Sequence, residues 1–393
     1  MRHSTDRILT THAGSLPRSE EIIQRGASRP DRPEDAYGWS KAMTQDVKEV
    51  VGRQLSAGID IPNDGEYGKA TRNSVDFGAW QSYGYERVTG WERQAPGSAS
   101  GPGISRRERK AFPNTYAEMA RTGATSAQGA NPAGPPLFTG PISYRGQEAV
   151  KADIDNLKAA LAGKDVGEAF ITAVSVGSFA RRENRYYKDD EAYLFALADA
   201  FHEEYKAITD AGFTLQLDEP GMATIWDMFD PEPPLEEYKK HIRIRIEAIN
   251  HALRGIPQEL VRFHVCWGSW HGPHTTDIPL KDIVDDILLI NAGAYSVEAG
   301  NVRHEHEWKV WRDTKLPAGR IIIPGVVSHA TNVVEHPEVV ADRIVRYARI
   351  VGRENVVAGT DCGLGGRVFP ELAWAKLNSL VEGARLASKE LWS

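Results

Sequence analysis

Cysteine is nearly absent from this chain: 393 residues carry two, Cys266 and Cys362. That excludes a disulfide-stapled secreted scaffold and suits a reducing compartment. No apolar run approaches the ~18 residues of a membrane span, and the mean hydropathy of -0.43 agrees. Excess positive charge is missing as well. The net charge is -7, which leaves no basic footprint for nucleic acid. The N-terminal MRHSTDRILTTHAGS has no apolar core of the kind a secretory leader needs, so a cytoplasmic protein is expected. No G-x-G-x-x-G follows the first strand pattern, which disfavours a dinucleotide-binding doubly wound sheet.

What is present is a rhythm of short apolar runs separated by amphipathic stretches. Strand-like runs begin at Ile8, Ile59, Pro136, Phe170, Phe213, Leu260, Ala294, Ile321 and Val356. Helical patterns lie between them, and several close on a glycine suited to the position after a helix end. Strands alternating with helices predict a parallel sheet with right-handed crossovers. The fold expected is α/β, a single (β/α)8 TIM-type barrel over residues 1–393. Nine runs compete for the eight places of such a barrel, so one must be a rim segment. A Gly-, Pro-, Ser- and Arg-rich stretch at about 77–135 interrupts the rhythm after the second strand. A connection of that length reads as a lid, a subunit arm or a plain surface insertion.

The polar residues at the strand ends carry the chemistry. His12 and Ser15, Asp64 and Glu66, Asp218 and Glu219, His264 and Cys266, Glu298, Ser328 and His329, and Asp361 and Cys362 all fall there. In a barrel these ends share one mouth, where active sites lie, and burying such groups unpaired would be costly. His264-Val265-Cys266 is the sharpest element, because positions i and i+2 of a strand share a face. Glu298 and Cys362 complete a tetrahedral set of one nitrogen, two sulfurs and one oxygen, a choice that favours Zn2+ over harder cations. The plain alternative is that each cysteine is an inert small core residue.

In sequence order, TTHAGSLPR (Thr10 to Arg18), NDGE (Asn63 to Glu66), LDEP (Leu217 to Pro220), HVC (His264 to Cys266), SVEAG (Ser296 to Gly300), PGVVSH (Pro324 to His329) and TDCGL (Thr360 to Leu364) resemble the C-terminal catalytic barrel of cobalamin-independent methionine synthase. The resemblance implies that His264, Cys266, Glu298 and Cys362 ligate zinc. It implies that Ser15, Glu66 and Asp218 hold the amino-acid part of a thiol substrate, homocysteine or similar, and that His329 protonates the leaving group. Zinc with two thiolates and a carboxylate bears a formal charge of about -1, so a thiolate bound there stays nucleophilic, which suits sulfur alkylation.

The function expected is a zinc-dependent S-alkyltransferase making methionine from homocysteine and a methylfolate donor. Gly177 stands roughly where the synthase has a tryptophan that packs on the pterin, which keeps a second activity open: epoxide opening by a thiol, as in epoxyalkane:coenzyme M transferases. A non-catalytic zinc or thiol-sensing barrel and the metal-free porphyrin decarboxylase barrels are the other classes. No nucleic acid or membrane partner is expected, and a homo-oligomer is left open.

Several residues near these motifs have two readings each. His271 and His274 are loop histidines with satisfied hydrogen bonds or shape the pocket. Trp267 and Trp270 are core or line an alkyl pocket. RHEHEW (Arg303 to Trp308) reads as a solvated charged face ahead of a second metal site. SRRERK (Ser105 to Lys110) reads as a solvated run ahead of a grip on an anionic substrate tail.

Overall fold

The computed structural model describes residues 1–29, 33–73, 78–95, 98, 105–122 and 134–393. The strands are β1 (Leu9–Thr10), β2 (Trp91–Arg93), β3 (Pro136–Phe138), β4 (Phe170–Val174), β5 (Glu183–Asn184), β6 (Thr214–Asp218), β7 (Val261–Val265), β8 (Ala294–Glu298), β9 (Ile321–Val327) and β10 (Val357–Thr360). Seven of them form one parallel sheet in the order β1-β10-β9-β8-β7-β6-β4.

The remaining stave is irregular. The N–H groups of Asp60 and Ile61 both donate to the Thr10 carbonyl at 3.1 and 3.0 Å, and Phe170 N–H donates to the Pro62 carbonyl at 3.1 Å. Residues 59–63 therefore lie between β1 and β4 and close the sheet on itself. The result is the expected α/β barrel. Asp60 and Pro62 explain the irregularity. The Asp60 carboxylate takes the Thr10 N–H and hydroxyl, and a proline has no N–H for a ladder.

The run at Pro136 is the rim segment. Its strand β3 pairs with β2 and β5 in a separate three-stranded sheet. The stretch expected as an insertion starts inside the packed body. Its helix Ala79–Arg87 buries Tyr83 and Tyr85, and Tyr83 Oη donates to Glu204 while accepting from Val174 N–H. Two further helices follow, Arg106–Ala111 and Pro113–Thr122.

Strands β4, β6, β7, β8 and β9 are buried along their whole length, as expected when helices cover one face and a filled lumen the other. Leu9, Ile61, Phe170, Ala294, Ile321, Ile323 and Val357 form an apolar layer contributed by five strands and the irregular stave. Arg262, 1% exposed, lies across the lumen above Phe170, with its guanidinium 4.0 Å from the ring centre. It donates to Thr11 Oγ1 and the His12 carbonyl. Among the described residues, no helix is long and apolar enough to cross a membrane.

Candidate functional site

At the carboxyl end of β7, His264, Cys266 and Cys362 each bring one ligand atom within 4.8 Å of the others. Their burial is nearly complete. The two sulfurs are 3.8 Å apart, against the ~2.05 Å of a disulfide, and both thiols are free. Ser296 Oγ sits 3.1 Å from His264 Nδ1, which fixes the ring, while the buried Nε2 has no hydrogen-bond partner. A buried polar nitrogen without a partner is costly.

Two thiols converging on that nitrogen fit a soft metal ion. The electrostatics agree. The Cys266 hydrogen bond, helped by the Arg367 charge, holds the Cys362 thiol well below its ordinary range despite burial. The same bond, together with burial, pushes Cys266 up. A cation bound there would replace the proton between the two sulfurs.

Glu298 ends β8 and joins a second group. It lies with His329 and Asp361, with ligand atoms within 4.8 Å of one another. Both Glu298 oxygens have partners: Oε1 accepts from Trp267 N–H at 2.8 Å, and Oε2 accepts from the Asn301 amide at 3.0 Å. Of the four ligands expected from the sequence, three converge and the fourth is held beside them.

Asp361 was legible as a strand-end residue but carried no role. Its Oδ1 accepts from the Ala299 and Gly300 N–H groups at 2.7 and 2.8 Å, so it fixes the turn that follows Glu298. Gly325 makes the approach possible, since a Cβ there would lie 2.3 Å from Asp361 Cα. His329 is 1% exposed, and its Nδ1 has no partner. Burial pushes its pKa down, so the ring is neutral near pH 7.

Ser15, Glu66 and Asp218 occupy the β1, irregular-stave and β6 side of the mouth. Leu364 and Gly365 N–H groups donate to the Ser15 carbonyl at 2.9 and 3.0 Å, which ties the Ser15 loop to the Cys362 loop. Glu66 adopts φ 61°, a left-handed conformation that costs a non-glycine residue energy and collects at functional sites. Asp64 Oδ1 holds it there by accepting the Glu66 N–H at 2.9 Å. The Glu66 carboxylate accepts from Thr172 Oγ1 at 2.8 Å and lies 3.4 Å from Lys69 Nζ. Asp218 accepts from the Gln216 amide at 2.7 Å and pairs in register with His264. Burial, then the Glu66 charge, pushes Asp218 up to about 7.

His12 is a scaffold group. Burial pushes its pKa down to about 4, and its nitrogens meet Gln54 Oε1 and Gly14 N–H. Gly177 is buried, and a Cβ there would lie 2.5 Å from the Glu219 carboxylate, so this position carries no stacking surface.

The segment after Cys266 walls the other side. Ser269 Oγ lies 3.4 Å from Cys362 Sγ. Trp270 Nε1 donates to Tyr116 Oη at 3.2 Å, and that hydroxyl donates to Glu108 Oε2. Glu108 Oε1 in turn accepts the Thr275 N–H at 2.6 Å. Arg107 reaches the Trp226 carbonyl, Asp227 and Glu232, and Lys110 reaches Asp230. The SRRERK run is therefore a docked helix with one solvated side: Glu108 is buried and Arg107 half-buried against the loops after β6 and β7, while Arg106, Arg109 and Lys110 are exposed.

Burial and hydrogen bonding decide three further readings. His304 and Glu307 of RHEHEW are 3% and 4% exposed and bonded to each other, so the run is buried on one side, while Arg303 and His306 are exposed. His274 is a satisfied loop histidine, bonded to Asp277 and the Trp270 carbonyl. Trp267 is fully buried core.

Comparison with known proteins adds the family. A sequence model described as cobalamin-independent synthase, catalytic domain, matches residues 108–386. A methionine synthase of Saccharolobus solfataricus is 26% identical over 388 residues, covering 97% of this chain and 95% of that protein. One from Thermococcus kodakarensis is 28% identical over 211 residues, covering 53% of this chain and 54% of its own. A B12-independent methionine synthase from Shewanella sp. W3-18-1, solved with selenomethionine, shares the fold with a TM-score of 0.70 at 19% identity, covering 98% and 99% of the two chains. With well over half of its length matched by the family's catalytic domain, the chain belongs to the cobalamin-independent synthase family.

Proposed function

We propose that this protein is a zinc-dependent S-methyltransferase that converts homocysteine to methionine, with the whole chain working as one catalytic barrel. The observation that carries the reading is the convergence of the Cys266 and Cys362 thiols on the partnerless Nε2 of His264. Membership of the family and the near full-length match to methionine synthases support the substrate.

His264, Cys266 and Cys362 would hold the zinc, with Glu298 as the nearby carboxylate ligand. Zinc bound there supplies a site at which a substrate thiol loses its proton yet stays nucleophilic. Asp218 and Glu66 bind the ammonium group of homocysteine, and the Ser15 loop closes on its carboxylate side. Asp218 stands next to His264 in the register of β6 and β7, so the amino acid is fixed by its head while its sulfur points at the thiols. Sulfur attacks the methyl carbon, the carbon–nitrogen bond to the donor breaks, and the neutral His329 ring, having taken up the proton lost by the substrate thiol, delivers it to the departing nitrogen. The helices at 106–122 form a cover that excludes water from the donor side. The reaction belongs to the cytoplasm.

Methylfolate is the donor to test first. Epoxide opening by a thiol is the second reading, favoured by the lack of a stacking surface at Gly177. A single-turnover assay on zinc-loaded protein, with homocysteine and 5-methyltetrahydrofolate as mono- and triglutamate, tests the proposal. Methionine formation that fails in Cys362→Ser supports it. No methionine, with zinc and homocysteine bound, removes methylfolate as donor.

A further inference from the structure

Behind the thiol pair runs a chain of buried charges that none of the reading above uses. His274 Nδ1 and His304 Nε2 both lie 2.9 Å from the same Asp277 oxygen, Oδ2. On its other side His304 Nδ1 lies 3.0 Å from Glu307 Oε2, and Glu307 Oε1 accepts the Leu280 N–H at 2.7 Å. All four side chains are at most 8% exposed. Burial pulls the His304 pKa down, but the Asp277 and Glu307 hydrogen bonds outweigh it and hold the ring up at about 10. Asp277 moves the opposite way: burial raises it, and the two histidines bring it below its ordinary range. His304 and Asp277 are therefore an ion pair at neutral pH.

Its contacts lead to both thiols. The His304 ring stacks on Trp267, with centres 4.1 Å apart and planes at 24°. Trp267 directly follows Cys266, and its N–H is the donor to Glu298. The His274 ring stacks on Trp270 at 4.2 Å and 26°. Trp270 follows Ser269, whose hydroxyl touches Cys362. Between the tryptophans the chain turns at Gly268, φ 97°, a conformation glycine adopts freely and that fixes nothing by itself. The turn's rigidity comes from the two stacked rings.

We propose that His274, Asp277, His304 and Glu307 are positioning residues for the metal site, clamping the Trp267–Trp270 turn so that Cys266, Ser269 and the Glu298 partner keep their places around Cys362. Partners of this kind, one shell behind the ligands, set metal affinity through orientation. The inference rests on the metal reading given above.

The test compares His304→Gln and the milder Glu307→Gln with the parent and with Glu305→Gln. Glu305 sits on the same short helix and pairs outward with Arg343 and Arg346, so its loss matches the clamp variants in removing an ion pair. Each protein is loaded with Zn2+ or Co2+. Affinity is read by chelator competition, ligand geometry by the thiolate-to-cobalt absorption band, and folding by thermal melting. Both clamp variants are expected to bind one equivalent with about 10- to 100-fold weaker affinity and a displaced cobalt band, while Glu305→Gln keeps the parental values. Affinity and band in both clamp variants equal to those of Glu305→Gln overturn the clamp. A parent that binds neither ion overturns the metal reading itself, and the clamp with it. Should His304→Gln fail to fold, Glu307→Gln, which keeps a hydrogen-bonding side chain at the far end of the chain, decides alone.

Discussion

Asp218 and His264 stand opposite each other in the parallel register of β6 and β7, about 4.8 Å apart as neighbouring strands are. The carboxylate proposed for the substrate's ammonium and the imidazole proposed for the metal are thus set by one pair of strands. Asp218→Asn is expected to raise KM for homocysteine by roughly 10- to 100-fold, since a charged hydrogen bond is worth ~1.5–3 kcal/mol. Metal content should not change. Isothermal titration with homocysteine and a metal assay check both parts.

Removing either thiol removes a ligand. Cys266→Ser and Cys362→Ser should lose most of the bound zinc at neutral pH, measured by mass spectrometry of the metal after dialysis. A full equivalent retained in either variant would refute the assignment.

His329→Asn should leave zinc and homocysteine binding intact and slow methyl transfer by about 100- to 10,000-fold, the usual share of a general acid. Rapid-quench single turnovers read this directly, and an unchanged rate removes His329 from the mechanism.

The Asp64 carboxyl offers a pH test with a definite sign. Burial, then the Asp153 charge, pushes it up from 3.8 to about 7. With the folded value above the unfolded one, ionisation is resisted by the fold, so stability falls as pH rises from about 4 to 7 and stays reduced above. Asp64→Asn keeps the oxygen that accepts Glu66 N–H and removes this penalty. Its melting temperature relative to the parent should rise between pH 4.5 and pH 8, by at most about 4 kcal/mol in free energy. A difference that is flat with pH contradicts the shift.

Tyr116→Phe leaves Trp270 Nε1 and Glu108 Oε2 without their shared partner. The cover at 106–122 should loosen by about 1–3 kcal/mol, seen as faster proteolysis within it. Raised salt should act in the same direction by screening Arg107 and Lys110.

The strand ends and the His-x-Cys spacing were readable because period-two alternation and side-chain chemistry are local properties. The irregular stave was found as an apolar run, but its failure to form a ladder was not, because that depends on Asp60 and Pro62 meeting Thr10 and Phe170. Glu298 is expected on the same ion as the thiols, and what holds it beside them, Trp267 N–H and the Asn301 amide, belongs to backbone geometry that no residue pattern announces. The charged runs at Ser105 and Arg303 are solvated on one side and docked on the other, and the docked side was hidden for one reason: a charge in a sequence does not show whether its counter-charge is water or a carboxylate from another loop. Glu108 and His304 found the latter.

Arg262 gives the barrel a cross-tie. It springs from the strand that carries His264, two residues earlier and so on the same face, and grips Thr11 and His12 on the opposite wall. The ring cannot ovalise without breaking that grip. Displacement of the Ser15 loop and of the His264 stave must then occur together. Adaptation to substrates of different bulk is left to the unbraced segments above the rim, and variation in donor preference among related chains should concentrate there, with the braced wall unchanged.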